Sequence, residues 1–217
     1  MGDQYQEYVG WGDGLNYGIF QLINNAAGSW GWLDGMMVFF ARDLVYVMIA
    51  VLAVLWITGK AANQRMVFYS CLSVVIAIVA AGWIISPIVD HPRPFVDHEV
   101  HQLVSHDADP SFPSDHATFA FALAFPIWFL KRRTGGLLLI LACLIGIARV
   151  YVGVHYPADI AGGLVLGLLI SMLVVKYRRW AEPAANFCIG VYGKLTARLS
   201  FIPRPTDSGT TGKRSSL

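Results

Sequence analysis

From residue 66 to residue 89 the chain carries no charged side chain. A helix of that length is about 36 Å long, which exceeds the roughly 30 Å hydrocarbon core of a bilayer. Four further stretches are apolar but hold a few charges, at about residues 41–58 (Arg42 and Asp43 at its entrance), 114–130, 135–154 (Arg149 near its end) and 157–175. Only 14% of the residues are charged and 56% are hydrophobic, whereas a soluble domain carries about 25% charge. The expectation is an all-α polytopic membrane helix bundle with five transmembrane helices. Residues 1–40 are expected to form an N-terminal interfacial or re-entrant segment, because the apolar stretch near Leu15–Ile23 is short and is interrupted by Asn16, Gln21, Asn24 and Asn25. A sixth full span is the alternative. Trp11, Trp30 and Trp32 suit a headgroup region.

Basic residues between the spans set an orientation. Lys60 and Arg65, then Lys131, Arg132 and Arg133, then Lys176, Arg178 and Arg179 all fall on one side of the five-span arrangement. That side is expected to be cytoplasmic, with the loop at 90–113 and the turn at His155 facing outward. The transmembrane core is expected over 41–180. Residues 181–217 are expected to form a cytoplasmic amphipathic segment followed by a disordered tail rich in Ser, Thr, Gly and basic residues. The N-terminus has no basic region leading into an apolar core, so insertion is expected to use the internal helices. A net charge of +2 makes no case for nucleic acid. Cys71, Cys143 and Cys188 are scattered, with no CxxC or zinc spacing.

Three polar stretches sit at the ends of apolar runs on the outer side: His91-Pro92-Arg93-Pro94, Phe112-Pro113-Ser114-Asp115-His116, and Arg149 followed by His155 and Asp159. Arg93 stands between two prolines that stiffen its backbone, and its planar fork suits phosphate. By itself it also reads as an interfacial arginine. Ser114 reads as the N-cap of the third span, where free N–H groups form an anion site. His116, in the first turn, can donate a proton and then accept one. A plain helix cap at the membrane surface fits the same residues. Arg149 is a charge inside an apolar span, which is costly and by default functional; snorkelling is the alternative. Asp159 follows His155 by four residues, so in helical backbone its carboxylate can bind one ring nitrogen and leave the other free to attack. A carboxylate favouring a helix N-terminus is the plainer reading. The loop also holds Asp97, His98, His101, His106, Asp107 and Asp109, but His98-x2-His101 matches no structural zinc pattern. Gly163 and Gly167 form a GxxxG step that suits helix packing.

Together, Arg93-Pro94, Pro113-Ser114-Asp115-His116 and Ala148-Arg149-x5-His155-x3-Asp159 resemble the three signatures of the type 2 phosphatidic acid phosphatase superfamily. Ser86 stands where that family has a lysine, Asp115 where it has glycine, and Ala148 where it has serine. Within it, Asn16-Tyr17-x-Ile19-Phe20, Arg93-Pro94-Phe95-Val96, Ser111-Phe112-Pro113-Ser114-Asp115-His116 and Val152-Gly153-x-His155-Tyr156-Pro157 are similar to undecaprenyl pyrophosphate phosphatases of the bacitracin-resistance type. The resemblance implies hydrolysis of undecaprenyl diphosphate to the monophosphate at the outer leaflet, with membrane lipids as surroundings and no cofactor or bound metal. It implies that Arg93, Ser114 and Arg149 hold the terminal phosphate, with Asp115 grouped beside them. His155 would attack, Asp159 would orient it, and His116 would protonate the leaving group. A broad phosphatase acting on phosphatidic acid or phosphatidylglycerol phosphate is the alternative within the family. Against a non-enzymatic membrane protein, such as a transporter or an anion-binding sensor, transporters often show internal repeats, none is seen here, and the polar residues cluster at one face.

Overall fold

The computed structural model describes residues 13–197, and among these every regular element is helical. In chain order they are α1 (Asp13–Asn24), α2 (Gly31–Arg42), α3 (Leu44–Ile57), α4 (Ala61–Ala80), a π-helical turn (Ala81–Ile85), α5 (Ser86–Val89), α6 (Pro94–Asp97), α7 (Asp115–Leu130), α8 (Arg132–Tyr151), α9 (Pro157–Lys176) and α10 (Arg178–Thr196). Trp11 and the tail from Pro203 to Leu217 lie outside the described residues.

Three helical segments are long and apolar enough to cross a membrane: Ala61–Asp97, Arg132–Tyr151 and Pro157–Lys176. α2 and α3 are long and apolar enough only as a pair, bent by 50° where Arg42 and Asp43 interrupt the apolar run, which is the shape of a broken span or a re-entrant loop. α2 runs across residue 40, where the sequence suggested that an interfacial segment gives way to the core. α7 is apolar but only 16 residues long, about 24 Å. It can be short because it is central: α4, α8 and α9 pack around it, and ten of its residues, from Ala117 to Ile127, are buried. Around it Met48, Leu52, Val67, Leu138 and Ile145 complete the largest core cluster.

The close approach of α9 to α7 depends on two glycines. A Cβ at Gly163 would lie 2.8 Å from the Thr118 nitrogen, and one at Gly167 would lie 2.8 Å from the Ala122 nitrogen. Ser171 adds a hydrogen bond from its hydroxyl to the Ala122 carbonyl at 3.3 Å. Small residues at this spacing let two helix backbones meet. The consequence is felt at the helix starts: the Ser114 N–H at the head of α7 donates to the Asp159 carbonyl in the first turn of α9, at 3.1 Å.

Chain direction then separates two ends. The heads of α7 and α9, the last turn of α8 and the loop before α7 share one end. Lys60, Lys131 and Lys176 mark helix boundaries at the other, where α10 packs on α4 through Tyr69 to Glu182 (3.3 Å) and Arg65 to Asn186 (3.2 Å). Gly167→Ala is expected to lower the thermal midpoint, by a cost of about 1–3 kcal/mol for overpacking. Gly136→Ala, where a new Cβ meets nothing within 4 Å, is the control. Equal midpoints for the two variants in detergent would contradict the close packing.

Candidate active site

Each site residue is held at the end of an element. Arg93 caps α6 in extended backbone, Arg149 occupies the last turn of α8, Ser114 caps α7, and His155 lies in the turn before α9. Gly153, at φ +84°, makes that turn; a Cβ there would come 2.7 Å from the His101 carbonyl oxygen. Asn24, buried at the end of α1, ties the same region together. Its side chain donates to the His101 and Tyr151 carbonyls at 2.9 and 2.8 Å and accepts from the His101 N–H at 3.0 Å. The polar residues that interrupt the first apolar stretch therefore include one with a structural task.

His155 is 2% exposed and is engaged on both ring nitrogens. Nδ1 donates to Asp159 Oδ2 at 3.3 Å. Nε2 receives Arg93 Nη1 at 3.1 Å and lies 3.4 Å from Arg149 Nη2. A carboxylate on one side and guanidinium donors on the other assign the proton to Nδ1 and the lone pair to Nε2. Burial, with the charges of Arg149 and Arg93 added, pulls the imidazole down to about 4 against the opposing effect of Asp159. The ring is neutral at physiological pH, with an available lone pair on Nε2.

The contact between His155 and Asp159 does not arise from two residues on one helix face. Tyr156 between them is extended, at ψ 157°, and α9 begins only at Pro157. Asp159 instead turns back from the first turn as a cap, accepting the Tyr156 N–H at 2.8 Å. The hydroxyl of Ser111, fully buried, donates to the same Oδ2. Ser111 thus supports the carboxylate that orients His155, a role with no signal in motif spacing. Asp109 was likewise only one of several loop acids in the sequence. It accepts Arg93 Nε at 3.0 Å, while Arg93 Nη1 also donates to the Val154 carbonyl at 3.0 Å. Burial would raise the Asp109 carboxyl, but the hydrogen bond and charge of Arg93 hold it below its ordinary value.

Arg93 and Arg149 are each 3% exposed. Asp109 offsets the first. No salt bridge reaches the second among the described residues, and its Nε has no hydrogen-bond partner. Buried charge is normally paired, so two guanidiniums converging on one lone pair make an arrangement that an anion would neutralise. Ser114 is tied to the same region through its N–H, which donates to the Asp159 carbonyl. It is fully buried, its Oγ accepting the Ala117 N–H at 3.5 Å. His116 is half-buried and within electrostatic range of Arg149, His155, His106 and Arg93. Asp115 is exposed and, with Ser86, Asp90 and Asp109, lines an adjoining cavity of about 490 Å³. The position of the family lysine therefore borders the site but carries no charge.

The family model of the PAP2 superfamily matches residues 66–183. The chain belongs to the PAP2 superfamily. It is 33% identical over 193 residues, 89% of this chain and 98% of the relative, to the undecaprenyl-diphosphatase BcrC of Bacillus subtilis. It is 38% identical over 159 residues, 72% of this chain and 79% of the relative, to the putative undecaprenyl-diphosphatase YbjG of Escherichia coli. The crystal structure of LpxE from Aquifex aeolicus aligns at a TM-score of 0.61 and 30% identity, covering 75% of this chain and 96% of that one. The PAP2-type phosphatidylglycerolphosphate phosphatase of Bacillus subtilis shares the fold at a TM-score of 0.52 and 22% identity. With these relatives and its apolar helices, the chain is a multi-pass membrane protein.

Replacing Arg149 by methionine removes a buried charge that lacks a carboxylate partner. Arg149→Met is expected to hold or raise the thermal midpoint while phosphate release falls about 10²-fold or more. Added orthophosphate should raise the midpoint of the parent protein and leave that of the variant unmoved. A variant that melts several degrees lower would show that Arg149 serves the fold rather than an anion.

Proposed function

We propose that this phosphatase hydrolyses undecaprenyl diphosphate to undecaprenyl phosphate and inorganic phosphate at the outer leaflet. The reaction would recycle the lipid carrier of cell-wall synthesis and, by depleting the diphosphate that bacitracin binds, confer resistance to that antibiotic. The observation that carries the chemistry is the polarity of His155: proton side on Asp159, lone pair between two guanidiniums. The similarity to BcrC over nearly the whole length of that relative supports the choice of lipid.

The terminal phosphate sits against Arg93, Arg149 and the head of α7, where Ser114 and the helix N–H groups favour negative charge. His155 Nε2 attacks phosphorus in line. A P–N bond forms as the bond from phosphorus to the bridging oxygen breaks. His116 gives its proton to the leaving lipid phosphate. Asp159, supported by Ser111 and the Tyr156 N–H, stabilises the cationic ring of the phosphohistidine. Water then attacks phosphorus and His116 takes its proton. The P–N bond breaks, inorganic phosphate leaves and His155 is neutral again. Both arginines act throughout on the equatorial oxygens, where charge spreads.

Basic residues at the opposite helix ends support an outward-facing site. A headgroup would enter from water while the polyprenyl chain stays in lipid. His155→Ala and His116→Ala are each expected to lower phosphate release from undecaprenyl diphosphate by about 10²-fold or more. Labelled phosphate should be trapped as an acid-labile, base-stable adduct in the parent protein, and not in His155→Ala. Near-normal turnover by either purified variant, or faster release from phosphatidic acid than from the diphosphate, would overturn this reading.

A further inference from the structure

His106 belongs to none of the three motifs. It lies in the loop between α6 and α7, yet its ring comes within 6.2 Å of the His155 ring, centroid to centroid, at 74°. Its Nδ1 lies 3.2 Å from the Asp107 carbonyl oxygen and 3.5 Å from Asp109 Oδ1. Both are acceptors, so the neutral ring carries its proton on Nδ1. Nε2 has no hydrogen-bond partner among the described residues. Asp109 Oδ1 is also the atom that receives Arg93 Nε, and Arg93 Nη1 reaches His155 Nε2. Asp109, Arg93, His155 and His106 therefore close a ring of neighbours. The charge of His106 is felt by Asp109, Asp115 and His116 as well.

Depth separates His106 from the rest. Arg93, Arg149 and His155 are 2–3% exposed and make a floor, whereas the His106 side chain is 24% exposed and stands at the mouth. In-line displacement places the leaving oxygen on the far side of phosphorus from the attacking Nε2. The leaving part of the substrate therefore extends from the floor towards the mouth, where His106 and the half-buried His116 stand. The transferred phosphoryl group has three equatorial oxygens, and Arg93, Arg149 and Ser114 can supply a donor to each. A further donor at the mouth meets a charged oxygen one bond beyond the bridging oxygen when the leaving group is itself a phosphate; in a phosphate monoester that place is held by carbon.

We propose that His106 is a substrate-binding residue whose Nε2 donates to the leaving phosphate of a diphosphate, so that the site distinguishes diphosphates from phosphate monoesters. This deepens the phosphatase reading above and rests on it. Asp109 has two tasks in this arrangement, since one carboxylate oxygen orients the floor arginine and the mouth histidine together. As the anion arrives, His106, exposed at the mouth, takes up a proton at Nε2 from solvent and becomes cationic; it forms no bond to phosphorus.

The test uses inorganic pyrophosphate and orthophosphate as competitive inhibitors of the purified full-length protein, turning over whichever lipid phosphate it hydrolyses. Pyrophosphate fills floor and mouth; orthophosphate fills the floor alone. In His106→Ala the inhibition constant for pyrophosphate should rise about tenfold or more, the loss expected for a hydrogen bond to a charged group, while that for orthophosphate changes less than about twofold. His106→Lys, which restores a cation, should recover most of the pyrophosphate affinity. Equal weakening of both inhibitors, or of neither, overturns the assignment. If the parent protein releases phosphate from phosphatidic acid but not from undecaprenyl diphosphate, the reading of the substrate fails, and the two inhibition constants still decide the role of His106.

Discussion

Two buried guanidiniums share one imidazole nitrogen, and the structure around them is organised to hold that crowded charge. Arg93 and Arg149 approach His155 Nε2 from different parts of the chain, at 3.1 and 3.4 Å. Asp109 stands against one of them from a loop and leaves the other without a salt bridge. Like charges this close, away from water, repel unless something negative lies between them. The helix starts add to the same field, because α7 and α9 point their N-terminal ends at this face. A bound phosphate would relieve all of these terms at once, most of all with charge spread over its equatorial oxygens.

The arrangement depends on packing well below the surface. Gly163 and Gly167 let α9 press against α7, which brings the Asp159 carbonyl to the Ser114 N–H. The carboxylate of Asp159 can then collect Ser111, Tyr156 and His155 on one oxygen. From the other side, Asn24 fastens the loop at His101 to the end of α8, close to Arg149. His155, Asp159 and both arginines are thus set by main-chain geometry at helix ends rather than by flexible side chains in a cleft. That precision suits a reaction in which positioning and electrostatics do most of the catalysis.

Much of this was legible in the sequence because the bilayer is a severe filter. A charge inside an apolar run stands out, so Arg149 was conspicuous, and prolines fix their neighbours, so Arg93 and the start of α9 at Pro157 could be placed. Ser114 as a cap and the glycine pair as a packing step follow from local rules. Other features were hidden because they depend on three-dimensional approach. Ser111 is one serine among many until the fold lays it on Asp159. Nothing in its spacing distinguishes Asp109 from Asp107. His106 was one of several loop histidines. The break at Asp43 was also difficult to place, since Arg42 and Asp43 read equally well as the entrance to one span or as a bend between two apolar helices, and the fold has a 50° bend there. Asp159 meets His155, though by capping back over an extended Tyr156 and not along a helix face.

An oxyanion is expected to bind where the two arginines meet the free nitrogen of His155. A structure determined with orthovanadate, which adopts the five-coordinate geometry of phosphoryl transfer, tests it most directly. Vanadium is expected to be bonded to His155 Nε2, with Arg93 and Arg149 on its equatorial oxygens and His116 facing the apical oxygen opposite. Vanadate bound elsewhere, or a vacant His155 with either guanidinium turned away, would contradict it.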